Sequence, residues 1–259
     1  MEIVFLGTGT SHGVPMIGCD CPTCRSEDPR NKRSRTSVHV IMSGARIQVD
    51  AGPEFRIQCI GNLITKIDFF ILTHGHADHL MGMDDLRRFC DAREGGALPV
   101  FSTPDALECV GRTFPYAILD RAAIRGYPAF LLREMPGVIE GEYGRIRSTL
   151  LPHGNIEVIG LVFEEAGTGK KFVYYTDCKS VSQEQREMAR GADLVVLDGL
   201  RQAPHPTHMT IDEAVEVALD IGAPRNYLTH LTHTVDHAAV EAGLPSAVRL
   251  AYDGLRIVL

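Results

Sequence analysis

The sequence predicts an α/β protein, and two observations predict it. Apolar runs of strand length, rich in β-branched and aromatic residues, recur along the whole chain at residues 67–72, 171–175, 193–198 and 227–230. Between them lie stretches with helix-start signals, such as the one opened by Pro104 and the one from residue 210 to 221. Strands that alternate with helices build layered α/β cores. With 259 residues the chain can bury a sizeable core, and residues 1–259 are read as one domain.

Composition narrows the class. A hydrophobic fraction of 44% and a charged fraction of 23% exclude disordered, collagen-like and membrane-spanning chains. Residues 1–6 carry an acid, Glu2, where a secretion signal needs base, and they run straight into Gly7; they read as a first strand, and a cytoplasmic location is expected. A formal charge of −7 argues against general nucleic-acid binding, which depends on many basic side chains displacing counterions. Seven cysteines without a signal peptide favour thiols or metal ligands over disulfides.

Taken in order, residues 7–15 form a glycine- and hydroxyl-rich loop that matches neither phosphate-binding fingerprint, so it reads as a tight turn near a cleft, with His12 a loop histidine. Cys19, Cys21 and Cys24 then place three thiols within six residues, a soft site for Zn²⁺ that needs one further ligand from elsewhere. Five basic residues between 25 and 35 read as a solvated loop. Residues 37–42 and 45–50 make a hairpin across Ser43-Gly44, Asp50 to Gly52 a closing turn, and residues 53–62 a helix. A short strand is expected at 99–102 and a helix at 104–113, whereas 115–144 resists assignment. Later strands are read at 146–151, 158–164 and 171–175, and helices at 181–190 and 210–221. Cys59, Cys90 and Cys109 sit singly in apolar surroundings and read as core.

The concentrated signal is Thr73-His74-Gly75-His76-Ala77-Asp78-His79, directly after the buried run 67–72. Alternation along extended backbone turns His74 and His76 to one side, where a single divalent ion can take both imidazoles. Asp78 and His79 follow at a helix start expected to run on through residue 89, facing the same cavity from its other wall. His153, Asp177 and His230 each follow an apolar strand in the second half. His74, His76 and His153 can hold one metal, Asp78, His79 and His230 another, and Asp177 can bridge the two.

That ordering, His-x-His-x-Asp-His followed by single His, Asp and His at wide spacing, resembles the metallo-β-lactamase superfamily. The resemblance covers nearly the whole chain and implies an αββα sandwich of two mixed β-sheets flanked by helices. Within the superfamily, Cys-x-Cys-x₂-Cys paired with Leu-Thr-His-x-x-His looks like the phosphodiesterases of phosphonate breakdown that open phosphoribosyl cyclic phosphate. The matching residues are Cys19, Cys21, Cys24 and His233, with Tyr252 to Leu255 as a similar ending. Pyrroloquinoline-quinone biosynthesis protein B is similar in its cysteine cluster, and the transfer-RNA 3′-end processing nucleases share the superfamily core.

The resemblance implies two divalent ions, Zn²⁺ or Mn²⁺, and one structural Zn²⁺ held by Cys19, Cys21, Cys24 and His233. It places Asp78 and His208 in catalysis, with His208 contacting the phosphate or protonating the leaving oxygen, while His39, His205 and His237 receive no role. The expected activity is hydrolysis of a small ribose phosphate or nucleotide phosphodiester, cyclic ones included, by hydroxide generated at the metal pair. The expected partner is a small anionic phosphoester, with neither nucleic acid nor membrane, and a homodimer is the candidate assembly. An accessory protein of quinone biosynthesis and a transfer-RNA nuclease are the alternatives.

Overall fold

Two seven-stranded sheets stack face to face in the computed structural model, which describes residues 1–93, 96–120 and 124–259. In chain order the first half runs β1 (Glu2–Gly7), α1 (Pro22–Arg25), β2 (Ser37–Met42), β3 (Ala45–Val49), α2 (Phe55–Gly61), β4 (Phe69–Ile71), α3 (Ala77–Leu80), α4 (Arg87–Cys90), β5 (Leu98–Ser102), α5 (Pro104–Thr113) and β6 (Phe130–Glu134). The second half runs β7 (Val138–Gly141), β8 (Gly144–His153), β9 (Ile156–Glu165), β10 (Lys171–Tyr175), α6 (Gln183–Ala189), β11 (Leu194–Asp198), α7 (Ile211–Ile221), β12 (Asn226–Thr229), α8 (His237–Glu241), β13 (Val248–Leu250) and β14 (Arg256–Val258).

The two halves repeat one another in topology though not in sequence. The first sheet is ordered β14-β1-β2-β3-β4-β5-β6, with three antiparallel pairings followed by three parallel ones. The second is ordered β7-β8-β9-β10-β11-β12-β13 and shows the same succession. Because strands such as β11 bury every residue, both faces of each sheet must be covered. Ile3, Val40, Ile47, Phe163, Phe172 and Val196 fill the space between the sheets. Phe55, Leu86 and Val110 join sheet one to its helices, and Ala214, Val217 and Ile221 join sheet two to α7. This is the αββα sandwich expected from the resemblance.

Local chemistry sets the helix ends. Thr103 caps α5 with Pro104 at its first position, and Thr210 with Glu213 closes a capping box on α7, whose end is turned by Gly222 at φ 75°. The helix expected from Asp78 through residue 89 is instead broken into α3, a 3₁₀ turn at Met83–Leu86, and α4. Gly82 explains the break: a Cβ there would stand 2.0 Å from the Gly52 carbonyl oxygen, so the chain passes too close to that loop to continue as a regular helix. The unassigned stretch 115–144 contributes β6 and β7, one edge strand to each sheet, while residues 121–123 lie outside the described part. No helix among the described residues is long and apolar enough to cross a membrane.

One expectation about surface charge is corrected. Arg33, read as part of a solvated basic loop, is 2% exposed. Its guanidinium donates to Thr8 Oγ1 (2.8 Å) and the Ala251 carbonyl (2.6 Å) and stands 3.0 Å from His237 Nδ1, so His237 has a structural part that the sequence did not announce. Those partners come from opposite ends of the chain, where local charge patterning cannot see them.

His39 is likewise structural. Buried on β2, it lies 3.2 Å through Nδ1 from Gln48 Oε1 on the paired strand, and burial pushes its pKa down to about 4. The unfolded chain, with its pKa near 6.5, therefore binds the extra proton first, and stability falls as pH drops from about 6.5 toward 4, by up to about 1.4 kcal/mol per pH unit. His39→Gln removes that titration. Urea unfolding of both proteins across this range should show the wild type losing its advantage on acidification; a pH-independent difference would overturn the assignment.

Candidate metal centre

The carboxyl ends of the strands meet at one edge of the sandwich, and the polar signals of the sequence converge there. The loop after β4 delivers His74 and His76, α3 delivers Asp78 and His79, and the end of β8 delivers His153. Asp177 follows β10 and His230 follows β12. This is the edge where open α/β sheets place ligands. Backbone geometry marks the same positions: Asp177 (φ 53°), His230 (φ 61°) and Asp50 (φ 60°) occupy the left-handed region, which non-glycine residues enter at a cost.

The side chains sort into two ligand sets with a shared wall. His74, His76 and His153 bring one nitrogen each to within 4.8 Å of one another, and Asp78, His79, Asp177 and His230 do the same with their own ligand atoms. Asp177 also belongs to a third group with His153 and His208, which places its carboxylate between the two sets. His208 lies against them, its ring stacked on His230 at a centroid distance of 4.7 Å and 4.8 Å from that of His153.

Hydrogen bonds on the far nitrogens leave the near ones free. His79 Nδ1 donates to Asp50 Oδ2 (2.7 Å), His153 Nδ1 to the Thr207 carbonyl (3.2 Å) and His208 Nδ1 to Asp198 Oδ2 (2.6 Å). Such partners fix the tautomer and aim the ring. Asp50 is held in turn by the Thr73 amide (2.8 Å) and hydroxyl (2.9 Å), and Asp198 by the Cys178 amide (2.9 Å). Asp50 and Asp198 were not singled out in the sequence, although each ends an apolar strand run as Asp177 does.

Does this cage fit a divalent cation? The Nε2 atoms of His74, His79 and His230 are buried without a hydrogen-bond partner. Those of His79 and His230 stand 3.2 and 3.0 Å from Asp177 Oδ1, at ion-pair distance but off the line of a hydrogen bond. Orphaned buried nitrogens of this kind are costly unless something binds them. The electrostatics agree. Burial works against charge on His79, yet Asp177, Asp50 and Asp78 outweigh it and hold its pKa well above the usual histidine value. Burial is likewise outweighed at His230, where Asp177 foremost lifts the pKa to about 10. His74 and His153, with less carboxylate near them, are pushed down by burial, His153 to about 4. The Asp177 side thus demands positive charge, and imidazole with carboxylate is the donor set that a first-row divalent ion takes. The residues fit.

The second cluster also assembles. Cys19, Cys21, Cys24 and His233 bring their ligand atoms within 4.8 Å of one another, with Cys19 Sγ 3.3 Å and Cys21 Sγ 3.5 Å from His233 Nδ1. The His233 hydrogen bond, helped by the Cys24 amide, lowers the Cys21 pKa to about 6, whereas burial raises that of Cys24 to about 11. A Cys₃His tetrahedron suits structural Zn²⁺. Backbone pairing already joins the two loops, since Thr10 donates to the Leu231 carbonyl (3.2 Å) and Leu231 to that of Thr8 (2.9 Å).

Comparison with known proteins agrees with this geometry. A family model described as a β-lactamase superfamily domain matches residues 45–231. The chain belongs to the metallo-β-lactamase superfamily. Among solved structures it is similar to a diphosphatase of the PhnP family, with 34% identity, a TM-score of 0.89, and coverage of 100% of this chain and 97% of that one. It shares the fold of Zn²⁺-bound PqqB from Methylobacterium extorquens at 22% identity and a TM-score of 0.82, with 100% of both chains covered. A curated octanoyltransferase of Porphyromonas gingivalis is 33% identical over 267 residues, covering 100% of this chain. The chain spans about half (52%) of that relative's length, so the activity in its name attaches to a protein with nearly as much chain again outside the match.

Proposed function

We propose that this protein is a metal-dependent phosphodiesterase acting on a small ribose phosphate or nucleotide phosphodiester, cyclic ones included. The observation that carries the reading is the pair of ligand sets joined through Asp177, with His208 poised beside both. Likeness to a PhnP-family diphosphatase at 34% identity supports phosphorus over acyl chemistry. His74, His76 and His153 would hold one ion in this reading, Asp78, His79 and His230 the other, and Cys19, Cys21, Cys24 and His233 a structural Zn²⁺. When bound, a pair of divalent ions, Zn²⁺ or Mn²⁺, brings the pKa of water from about 16 toward neutrality and offsets charge on phosphoryl oxygens.

The chain's own residues do the rest. Asp198 accepts from His208 Nδ1 and so presents Nε2 toward the cluster, where it can give a proton to the departing oxygen. Asp50 holds His79 in the orientation that directs Nε2 inward. Burial of His74, His79, Asp177 and His230 keeps bulk water from competing for these groups. Free thiols at Cys59, Cys90 and Cys178 fit a reducing cytoplasm. A net charge of −7 speaks against an RNA substrate, and we read residues 1–259 as one hydrolase domain.

The test is purified protein with its metals counted, offered an aryl phosphodiester, a cyclic ribose phosphate and a precursor transfer RNA. Turnover of the first two and not the third is expected. Cleavage of the RNA alone would favour the nuclease reading, and full metal content without any turnover an accessory role of the PqqB kind. His208→Asn is expected to lower kcat by about a hundredfold while the metal count stays unchanged; wild-type kcat would remove His208 from proton transfer.

A further inference from the structure

His205 receives no role from the resemblance, yet it stands one ring away from the metal centre. Its half-buried ring has its centroid 5.1 Å from that of His208, which in turn lies 4.7 Å from His230 and 4.8 Å from His153. The loop that carries it is held at several points. Pro204 and Pro206 flank His205 and restrict its backbone. Arg201 donates through Nε to the Ala203 carbonyl (3.1 Å) and through Nη2 to the Pro204 carbonyl (3.1 Å). Thr207 then links His205 to the centre: its amide (3.3 Å) and hydroxyl (3.2 Å) meet His205 Nδ1, while its carbonyl takes the hydrogen bond from His153 Nδ1 (3.2 Å).

These bonds settle the tautomer. A backbone amide only donates, so His205 Nδ1 is an acceptor and the proton of the neutral ring sits on Nε2. Burial foremost, then the positive charge of His208 and Arg201, lowers the His205 pKa and keeps the ring neutral. Among the described residues no protein group accepts from Nε2, and that nitrogen is open to solvent. Charge on this flank comes from Arg201. Lys179 Nζ is paired with Glu213 (3.0 Å), whereas among the described residues no carboxylate pairs with Arg201. An uncompensated cation and an unused N–H donor therefore share the loop beside His208.

We propose that His205 contacts substrate: its Nε2–H donates to a non-bridging oxygen of the phosphoryl group whose departing oxygen lies at His208, and Arg201 is the positioning residue that fixes the loop. This rests on the phosphodiesterase reading and deepens it. Oxygens on one phosphorus atom are close enough for two imidazoles with centres 5.1 Å apart to reach different ones. A donor fixed in advance acts most strongly on an oxygen that gains charge during the reaction. The two histidines thus divide the work, His208 moving a proton and His205 holding one.

The experiment measures three things on metal-loaded protein: kcat/KM for an aryl phosphodiester, competitive inhibition by inorganic phosphate, and the histidine ring nitrogens by long-range ¹H–¹⁵N NMR. In the wild type the His205 signals should show the Nε2–H tautomer and move when phosphate is added. His205→Phe keeps a flat ring without the donor; kcat/KM and the affinity for phosphate are each expected to fall by about tenfold or more, with the metal count unchanged. His205→Asn, which retains an N–H donor, should recover part of both. Arg201→Lys keeps the charge but not the two-point grip, and is expected to raise KM about fivefold, leave kcat near wild type and reduce the response of the His205 ring to phosphate. Wild-type kcat/KM and phosphate inhibition in His205→Phe, or a wild-type His205 ring indifferent to phosphate, would overturn the contact. Phosphate binding that weakens in His205→Phe, in a protein that turns over no phosphodiester, would leave the contact standing and overturn the phosphodiesterase reading alone.

Discussion

Replacing Asp177 by asparagine is expected to strip a metal from the centre and to lower turnover about a thousandfold. The carboxylate oxygen Oδ1 stands 3.2 Å from His79 Nε2 and 3.0 Å from His230 Nε2, and the same side chain groups with His153 and His208. Among the groupings of described residues, Asp177 alone is shared by the Asp78 set and the group of His153 with His208. Asparagine keeps the shape and tolerates the left-handed backbone at φ 53°, so the variant should fold and lose only charge. Metal content by elemental analysis and kcat on an aryl phosphodiester are the readouts. Two retained ions with wild-type turnover would show that Asp177 does not join the sets.

The second large effect is expected at the cysteine clasp. Cys21→Ser should lower the melting temperature by on the order of 10 °C and reduce activity with it. The coupling is geometric: His233, which faces Cys19 and Cys21, lies three positions beyond His230 on the same segment, and that segment is bonded to the loop after β1. Loosening the clasp therefore loosens the rim that carries one ligand of the centre. A chelator that empties the clasp should reproduce the shift in the wild type. Full zinc content and an undisturbed melting temperature in the variant would show the four residues to be a thiol cluster without a structural ion.

Much of the architecture could be read from local chemistry, because the signals that set it are local. The capping residues Thr103 and Thr210, the Ser43-Gly44 turn and the apolar runs of β9 to β12 each act within a few residues of themselves. The candidate ligand cluster was equally visible, since four donors crowd into six positions after a strand. What escaped depends on contacts between distant segments. Asp50 looks like a turn residue until His79 and Thr73 are seen to bond to it, and Asp198 like a strand end until His208 arrives. Arg33 reads as solvated because its partners Thr8, His237 and Ala251 are scattered along the chain. The broken helix after His79 turns on the approach of Gly82 to Gly52, a steric fact with no local signature.

The return of the last strand to the first sheet has a consequence for synthesis. β14 pairs with β1 through Glu2–Val258, Ile3–Ile257 and Val4–Arg256, so every strand between the two must be synthesised before β1 finds its outer neighbour. Until then one flank of β1 is a bare row of amides and carbonyls, open to mispairing with other nascent chains. Such long-range closure makes for slow folding, and cleavage just ahead of Arg256 should expose that edge while sparing every candidate metal ligand named above.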